Sequence, residues 1–456
     1  MDKTQIALGV LVHANGSHPA GWLKSDAPRG ASNDIDYYRS VAQLAEAGKF
    51  DLFFIADTPA ARTEKLDAYS RYPHFMNCFE PITLLSAIAG FTQHIGLGAT
   101  ASTSFYEPYN LARLFASLDH ITHGRAGWNV VTSANDYAAR NFGLDKLPPH
   151  NERYAKAREF FQVVASLWDT WEDDAFIADK DDGRMFDPAK LHVTDHQGKY
   201  FTVYGALNMA RSPQGHPVII QAGSSEDGKS FAAETAEVVF SSDATLPAAQ
   251  RFYTDLKGRM PAFGRDASQL KILAGLSAIV GSSQAEAEDK YQTLQAMIHP
   301  VVGLMRLGGD LEQDLSGLPL DEPVPIEMIP KKANLHQAYF NQIANHIREQ
   351  KLTLRQLYMS YERGKVTVCG TAAQIVDQME EWTDAKACDG FMLAPHVIPN
   401  DLREFVGEVV PELQRRGRLR KEYTGRTLRE NLGLDRPVNR HVAETAIEAA
   451  IEAAGK

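Results

Sequence analysis

Eight short apolar runs, each separated from the next by segments of helical periodicity, constrain this chain more than any other feature. They lie at residues 6–12, 52–55, 95–100, 127–132, 218–222, 238–241, 272–280 and 391–393. Most are continuously apolar rather than alternating. That pattern marks parallel strands covered on both faces, because alternation belongs to a strand with one wet face. Amphipathic segments at 33–47, 81–92, 111–121, 151–171, 230–236, 248–260, 283–298, 372–382 and 401–416 fill the intervals. The first opens on Asn33 as N-cap, carries Asp36 three residues later and stops at Gly48. Segment 151–171 sets Tyr154, Ala157, Phe160, Phe161, Val164, Leu167 and Trp168 along one helix face.

Eight strand–helix units predict an α/β fold, a (β/α)8 TIM barrel; a doubly wound open sheet is the rival. A minimal barrel takes about 250 residues, and the chain has 456. A single barrel over 1–435 is therefore expected to carry insertions near 58–79, 172–215 and 300–365, with 436–456 as a C-terminal tail. The first insertion follows the second strand directly. It is expected over the end of the barrel where catalytic groups sit.

With 44% apolar and 23% charged residues the chain is not of the disordered class. A net charge of −11 without a basic cluster argues against nucleic acid as a partner. No uncharged apolar stretch approaches the ~18 residues of a membrane span. The start, Met1-Asp2-Lys3-Thr4-Gln5, lacks signal-peptide architecture, so a cytoplasmic protein is expected. Cys78, Cys369 and Cys388 are odd in number and far apart, which fits neither a disulfide framework nor a zinc knuckle. Gly96-Leu-Gly-Ala-Thr-Ala101 has dinucleotide-motif spacing but falls inside a predicted strand, so no NAD pocket is expected there. His192 and His196 lack the Glu of a zincin, and no metal site is expected.

Catalytic groups of a barrel sit at the carboxyl ends of its strands. Here those ends read Asp57-Thr58, Ser102-Thr103-Ser104, Asn129 with Thr132-Ser133, and Gly223-Ser224-Ser225. This rim of hydroxyls, amides and one carboxylate suits a polar planar cofactor better than hydrolysis by paired acids. Gly223-Ser224-Ser225 precedes a helix and can cradle a phosphate on backbone N–H groups, although a plain Ser N-cap explains the same turn. His150 and Tyr154, four apart, can face one ligand, and Arg153 beside them is either a phosphate contact or a solvated charge.

The segment Arg113-Leu-Phe-Ala-Ser-Leu-Asp-His-Ile-Thr-His-Gly-Arg-Ala-Gly-Trp-Asn-Val-Val-Thr-Ser133, then Asn141-Phe-Gly143 and Glu152-Arg-Tyr154, resembles the bacterial-luciferase-like superfamily. Gly48-Lys-Phe-Asp-Leu-Phe-Phe-Ile-Ala-Asp57, Arg211–Ser225, Asp389-Gly-Phe391 and Val410–Gly417 extend the likeness from about residue 5 to about residue 435. The branch resembled holds nitrilotriacetate and EDTA monooxygenases, pristinamycin synthase, dibenzothiophene sulfone monooxygenase and long-chain alkane monooxygenase. The resemblance implies a two-component monooxygenase. An NAD(P)H:flavin reductase supplies reduced FMN, FMNH2, which meets O2, and a flavin hydroperoxide then oxygenates a small molecule. It also implies a homodimer or higher homo-oligomer.

Carried over by motif, Asp57, Ser102, Thr103, His150, Tyr154, Gly223, Ser224 and Ser225 touch FMN. The serines and Tyr154 are expected near the phosphate, Asp57 and Thr103 near the ring. Asn129 is a further ring contact or a barrel-interior amide. His18 and Trp22 match the His and Trp of the first-strand loop in this branch, with His18 donating to the reacting oxygen or to the substrate, or else packed at the barrel mouth. The chain departs from several relatives at Leu23-Lys24-Ser25, and from the alkane enzyme at Ala134. Arg62 and Arg71, in a loop with Tyr69, Tyr72 and His74, would suit a carboxylated substrate. Oxygenation beside an amine nitrogen comes first and at sulfur second. The alternatives are a deazaflavin-dependent oxidoreductase and a non-catalytic flavin-binding protein on the same barrel.

Overall fold

The computed structural model describes residues 4–72, 74–133, 135–330 and 337–446. Its strands are β1 (Ala7–Leu11), β2 (Leu52–Ile55), β3 (Gly96–Ser102), β4 (Ala126–Val131), β5 (Thr194–Gln197), β6 (Thr202–Gly205), β7 (Val218–Gln221), β8 (Val238–Ser241), β9 (Lys271–Val280), β10 (Val366–Gly370) and β11 (Gly390–Leu393). Eight of them close a parallel ring in the order β1-β2-β3-β4-β7-β8-β9-β11, back to β1. Closure rests on the β8–β9 register Val238↔Lys271 and the β1–β11 register Ala7↔Gly390. An open doubly wound sheet has neither pairing, so the structure decides for the barrel.

The eight ring strands coincide with the predicted runs to within a residue or two at each end. β10 has no counterpart among them. β9 is ten residues long and β8 only four. Leu276 pairs with Leu393 of β11 on one edge and Val366 of β10 on the other, so β10 continues the edge that β8 leaves. The β5–β6 hairpin, antiparallel and mostly exposed, was likewise not predicted.

The glycine-rich β3 motif has a packing cause. A Cβ on Gly96 would lie 2.4 Å from Leu428 Cδ1, and one on Gly98 would lie 3.1 Å from both Leu52 Cδ1 and Phe54 Cδ2. The short helix Leu428–Leu432 plugs the amino end of the barrel with Leu428 and Leu432, packed with Leu52, Phe54, Val218, Ile220 and Leu273. The glycines make room for that plug and not for a dinucleotide.

Helix boundaries need three corrections. The first helix runs Ile35–Ala47, and its N-cap is Asp34, which accepts from the N–H groups of Asp36 and Tyr37; Asn33 ends a preceding 3-10 turn. The helix after β7 starts at Glu226, a turn earlier than expected, capped by Ser225. The segment expected as one helix over 401–416 is Asn400–Glu404, a π turn at Phe405–Val409, and Val410–Arg415. Pro411 has no N–H and crowds the carbonyl one turn back, so the regular ladder opens just before it.

The three inserted segments take different places. The first wraps the helix Leu66–Arg71 beside the mouth. The second, with β5 and β6, lies at the amino end. There Arg211 and His216 meet Asp169, and Arg436, Asn439 and Arg440 of the tail bind Asp169, Trp171 and Asp173. The third contributes the helices Pro300–Leu311, Gln337–Gln350 and Leu354–Ser360 with an apolar cluster of their own, including Leu307, Leu311, Phe340, Ile343 and Leu357. Ala20 and Val397, from the loops after β1 and β11, join that cluster, so this insertion lies over the carboxyl end. Ala134 and residues 447–456 of the tail lie outside the described residues.

Candidate active site

Three strand ends are strung together by side chains. In β4, Asn129 Nδ2 donates to Thr100 Oγ1 at 2.9 Å, and that hydroxyl donates to the Ile55 carbonyl of β2 at 3.0 Å. Asn129 Oδ1 is buried without a partner among the described residues. An acceptor left so inside a barrel is costly unless something donates to it. One turn outward, the hydroxyls of Ser102 and Ser133 meet, the Thr103 hydroxyl donates to the Val131 carbonyl at 3.2 Å, and that of Ser104 to the Thr132 carbonyl at 2.7 Å. Arg153 donates to the Ser133 carbonyl and so fastens the next helix to β4.

That helix, His150–Trp168, starts where the helix Glu226–Thr235 also starts. His150 joins the two. Its Nδ1 lies 3.0 Å from the Asp227 carboxylate and its Nε2 3.3 Å from the Ser225 hydroxyl, which accepts the Gly228 N–H. With Nδ1–H given to the carboxylate, a neutral ring takes the Ser225 proton at Nε2. Tyr154 Oη rests on the turn after β7. A Cβ on Gly223 would come 3.2 Å from it, and one on Gly228 3.0 Å. Neither the Tyr154 phenol nor the Ser224 hydroxyl has a hydrogen-bond partner among the described residues. Two helix N-termini, free hydroxyls and a side-chain-free turn make an anion cradle of phosphate type.

Asp57 ends β2 on the same face. Burial, and then the charge of Glu80, push its carboxyl up to about 6, against a bond from its neighbour's backbone. Beside it, between β1 and the first insertion, a cavity is lined by His13, His18, Trp22, Tyr72, His74 and Phe75. His18 Nδ1 accepts the Ala20 N–H at 3.0 Å, which places the ring proton on Nε2, 3.2 Å from Gln295 Oε1. Burial, then His396, push this imidazole down to about 3, so it is a neutral donor. Gln295 and Tyr291 both donate to Glu362 Oε1. Burial raises the Glu362 carboxyl, yet Lys365 and His396 together hold it well below the usual range. Lys365 also donates to Ser17 at 2.8 Å.

The structure therefore gathers Ser102, Thr103, Asn129, His150, Tyr154, Gly223, Ser224 and Ser225 into one contiguous run from β3 to β7, with Asp57 on the adjoining strand. His18 and Trp22 stand apart, on the β1 loop. The Trp22 indole donates to the Arg71 carbonyl at 2.8 Å and ties that loop to the first insertion. Arg71 turns its guanidinium to Asp67 in its own helix, and Arg62 lies over the Tyr137 ring at 3.6 Å. Sequence reasoning missed Asp227, Arg306, Glu362, Lys365 and His396. Asp227 carried a signal, since it lies two residues past Ser225, a strand end already singled out. His396, three residues past the end of β11, carried one too; Arg306, Glu362 and Lys365 did not, because nothing local shows that the third insertion reaches the β1 loop.

The sequence profile of the luciferase-like monooxygenases matches residues 17–389. The chain is 46% identical over 442 residues to the N-acetyl-S-(2-succino)cysteine monooxygenase of Bacillus subtilis (strain 168), covering 96% of this chain and 99% of that protein. It is 46% identical over 444 residues to nitrilotriacetate monooxygenase component A of Aminobacter aminovorans, covering 95% and 98%. Among solved structures it superposes on a riboflavin lyase, crystallised with modified FMN and its substrate riboflavin, with a TM-score of 0.83 at 32% identity, covering 95% and 97% of the two chains.

Proposed function

The chain belongs to the luciferase-like monooxygenase family, and from that premise we propose that it is the oxygenating component of a two-component, FMNH2-dependent monooxygenase. The observation that carries this reading is the pairing of a phosphate-type cradle at β7 with a buried acceptor in the barrel mouth, Asn129 Oδ1, that has no partner among the described residues. Reduced FMN, when bound, supplies the electrons that activate O2.

The residues present fit that cofactor. Tyr154, Ser224, Ser225 and the two helix N-termini receive the phosphate, and His150 holds Ser225 in place. Gly223 keeps the turn open for it. Asn129 Oδ1 would accept from the ring, and Ser102 and Thr103 would form its polar border. Asp57, with its carboxyl raised to about 6, keeps a proton at the edge of the site in mildly acidic solution. His18 presents an Nε2–H that can pass from Gln295 to a reacting oxygen or to the substrate. The first and third insertions cover the mouth, which keeps water from the reduced cofactor.

The substrate in this reading is a small organic molecule oxygenated beside an amine nitrogen or at a sulfur. The names of the two 46%-identical relatives support both chemistries. The designation "component A" of one supports a separate partner, here a flavin reductase. The assembly is a homodimer or higher oligomer. No described helix is long and apolar enough to cross a membrane.

The test mixes the protein with reduced FMN, 18O2 and a panel of amines and thioethers, a flavin reductase maintaining reduction. Uptake of one 18O atom into product per turnover supports the proposal. Hydride transfer without O2 consumption would point to the deazaflavin reading. Tight flavin binding with no substrate-dependent turnover would point to a binding protein.

A further inference from the structure

Behind the wall of the cavity beside β1 the cations are unequally partnered. Three cations approach it from the third insertion and its exit, namely Arg306, Arg363 and Lys365. Arg363 pairs with Asp310 at 3.0 Å, and Tyr361 donates to the same carboxylate at 2.9 Å. Lys365 pairs with Glu362 at 3.4 Å. Arg306, on the helix Pro300–Leu311, has no such partner. Among the described residues no carboxylate lies within 4.0 Å of its guanidinium, and it makes no hydrogen bond. It is half-buried, 6.0 Å from the centre of the Tyr72 ring and 5.8 Å from that of Tyr361. The imidazoles nearby do not change the count. Burial, with a contribution from Lys365, pushes His13 down to about 4, and burial, then His13, holds His74 well below its usual value. Of the three, Arg306 alone lacks a carboxylate partner among the described residues.

A guanidinium held between two aromatic rings, partly out of water and without an anion, is poised to take one. Its fork matches a carboxylate with two parallel N–H···O bonds. Tyr72, which it overlies, lines the cavity with His74 and His18. The phosphate cradle cannot be what it serves. In the ring of eight, β1 stands diametrically opposite β7, and the cradle is at β7.

We propose that Arg306 is the anchor for a substrate carboxylate, and that the enzyme takes small aliphatic amines or thioethers bearing a carboxylate on a short arm. This rests on the monooxygenase reading for the word substrate, but the anion site stands on geometry alone. Arg71, committed to Asp67, is not the anchor.

Calorimetric titration tests it on the whole protein without flavin, so that a failed oxygenation assay leaves the result standing. The probes are nitrilotriacetate, N-acetyl-S-(2-succino)cysteine and tricarballylate. The expected result is binding of at least one probe to the native protein, weakened about 10- to 100-fold in Arg306→Gln, as loss of a charge-assisted pair implies. Arg306→Lys keeps the charge, loses the fork and falls between. Arg184→Gln, an exposed pair with Asp182 far down the second insertion, binds as the native protein does. FMN affinity and the thermal unfolding midpoint of Arg306→Gln stay unchanged. The proposal is overturned if no probe binds the native protein, if Arg306→Gln binds equally well, or if it loses FMN instead.

Discussion

The hydroxyls of Ser102 and Ser133 meet at 2.7 Å across the carboxyl ends of β3 and β4. Ser133 stands there with φ of +56°, a conformation that costs an L-residue of order 1 kcal/mol. Its hydroxyl bond and the Arg153 bond to its carbonyl hold it in that state. Ser133→Ala keeps the backbone strain and loses the hydroxyl. It is expected to lower unfolding free energy by about 1 kcal/mol. Ser133→Gly loses the same bond but relieves the strain, and should be near neutral. Urea unfolding of the two variants separates the terms; equal losses would show that the backbone angle stores nothing.

At the cradle, Tyr154→Phe removes a phenol that has no partner among the described residues, so stability should not change. FMN binding should weaken about 10-fold, the worth of one hydrogen bond to a charged acceptor. Riboflavin, without the phosphate, should bind both proteins alike. Flavin fluorescence quenching reads both ligands. Gly223→Ala acts by shape: its Cβ would lie 3.0 Å from Gly228 Cα and 3.2 Å from Tyr154 Oη. Backbone must yield there, and we expect a loss of about 1–2 kcal/mol in stability together with the loss of FMN.

The barrel was legible because its strands are buried on both faces, and continuous apolar runs such as Leu52–Ile55 and Val218–Gln221 show it. β10 was not, since four of its five residues are only half-buried and eight strands already complete a barrel. Asn33 and Asp34 are adjacent and equally able to cap, and only the path of the chain chooses Asp34. The flavin-side residues could be read from strand ends, which fix a side chain's position by register. Arg306 and Glu362 could not. They reach the mouth through the packing of the third insertion on Ala20 and Val397, a long-range contact without a local pattern.

Asn129 offers a contrast with Tyr154. Its Oδ1 is buried and without a partner among the described residues, so Asn129→Leu removes that group and one bond to Thr100 together. Those changes offset, and stability should stay within about 1 kcal/mol of the native protein. Affinity should fall for FMN and riboflavin by similar factors, because the contact is to the ring they share. A loss confined to FMN would place Asn129 at the phosphate and remove it from the ring.

Asp57 makes stability depend on pH. Its carboxyl goes from 3.8 in a model peptide to about 6 in the fold, through burial first and Glu80 second. A raised carboxyl binds its proton more tightly folded than unfolded, so between about pH 4 and pH 6 the native state holds more protons and stability falls as pH rises. Above that window the loss is complete, about 1–3 kcal/mol after allowance for partial exposure. Asn cannot ionise, so Asp57→Asn should lack this slope. The difference between variant and native protein should grow in favour of the variant from pH 4 to pH 6 and then level off. Urea unfolding at pH steps across that range measures it, and parallel curves would mean that Asp57 titrates as an exposed carboxylate.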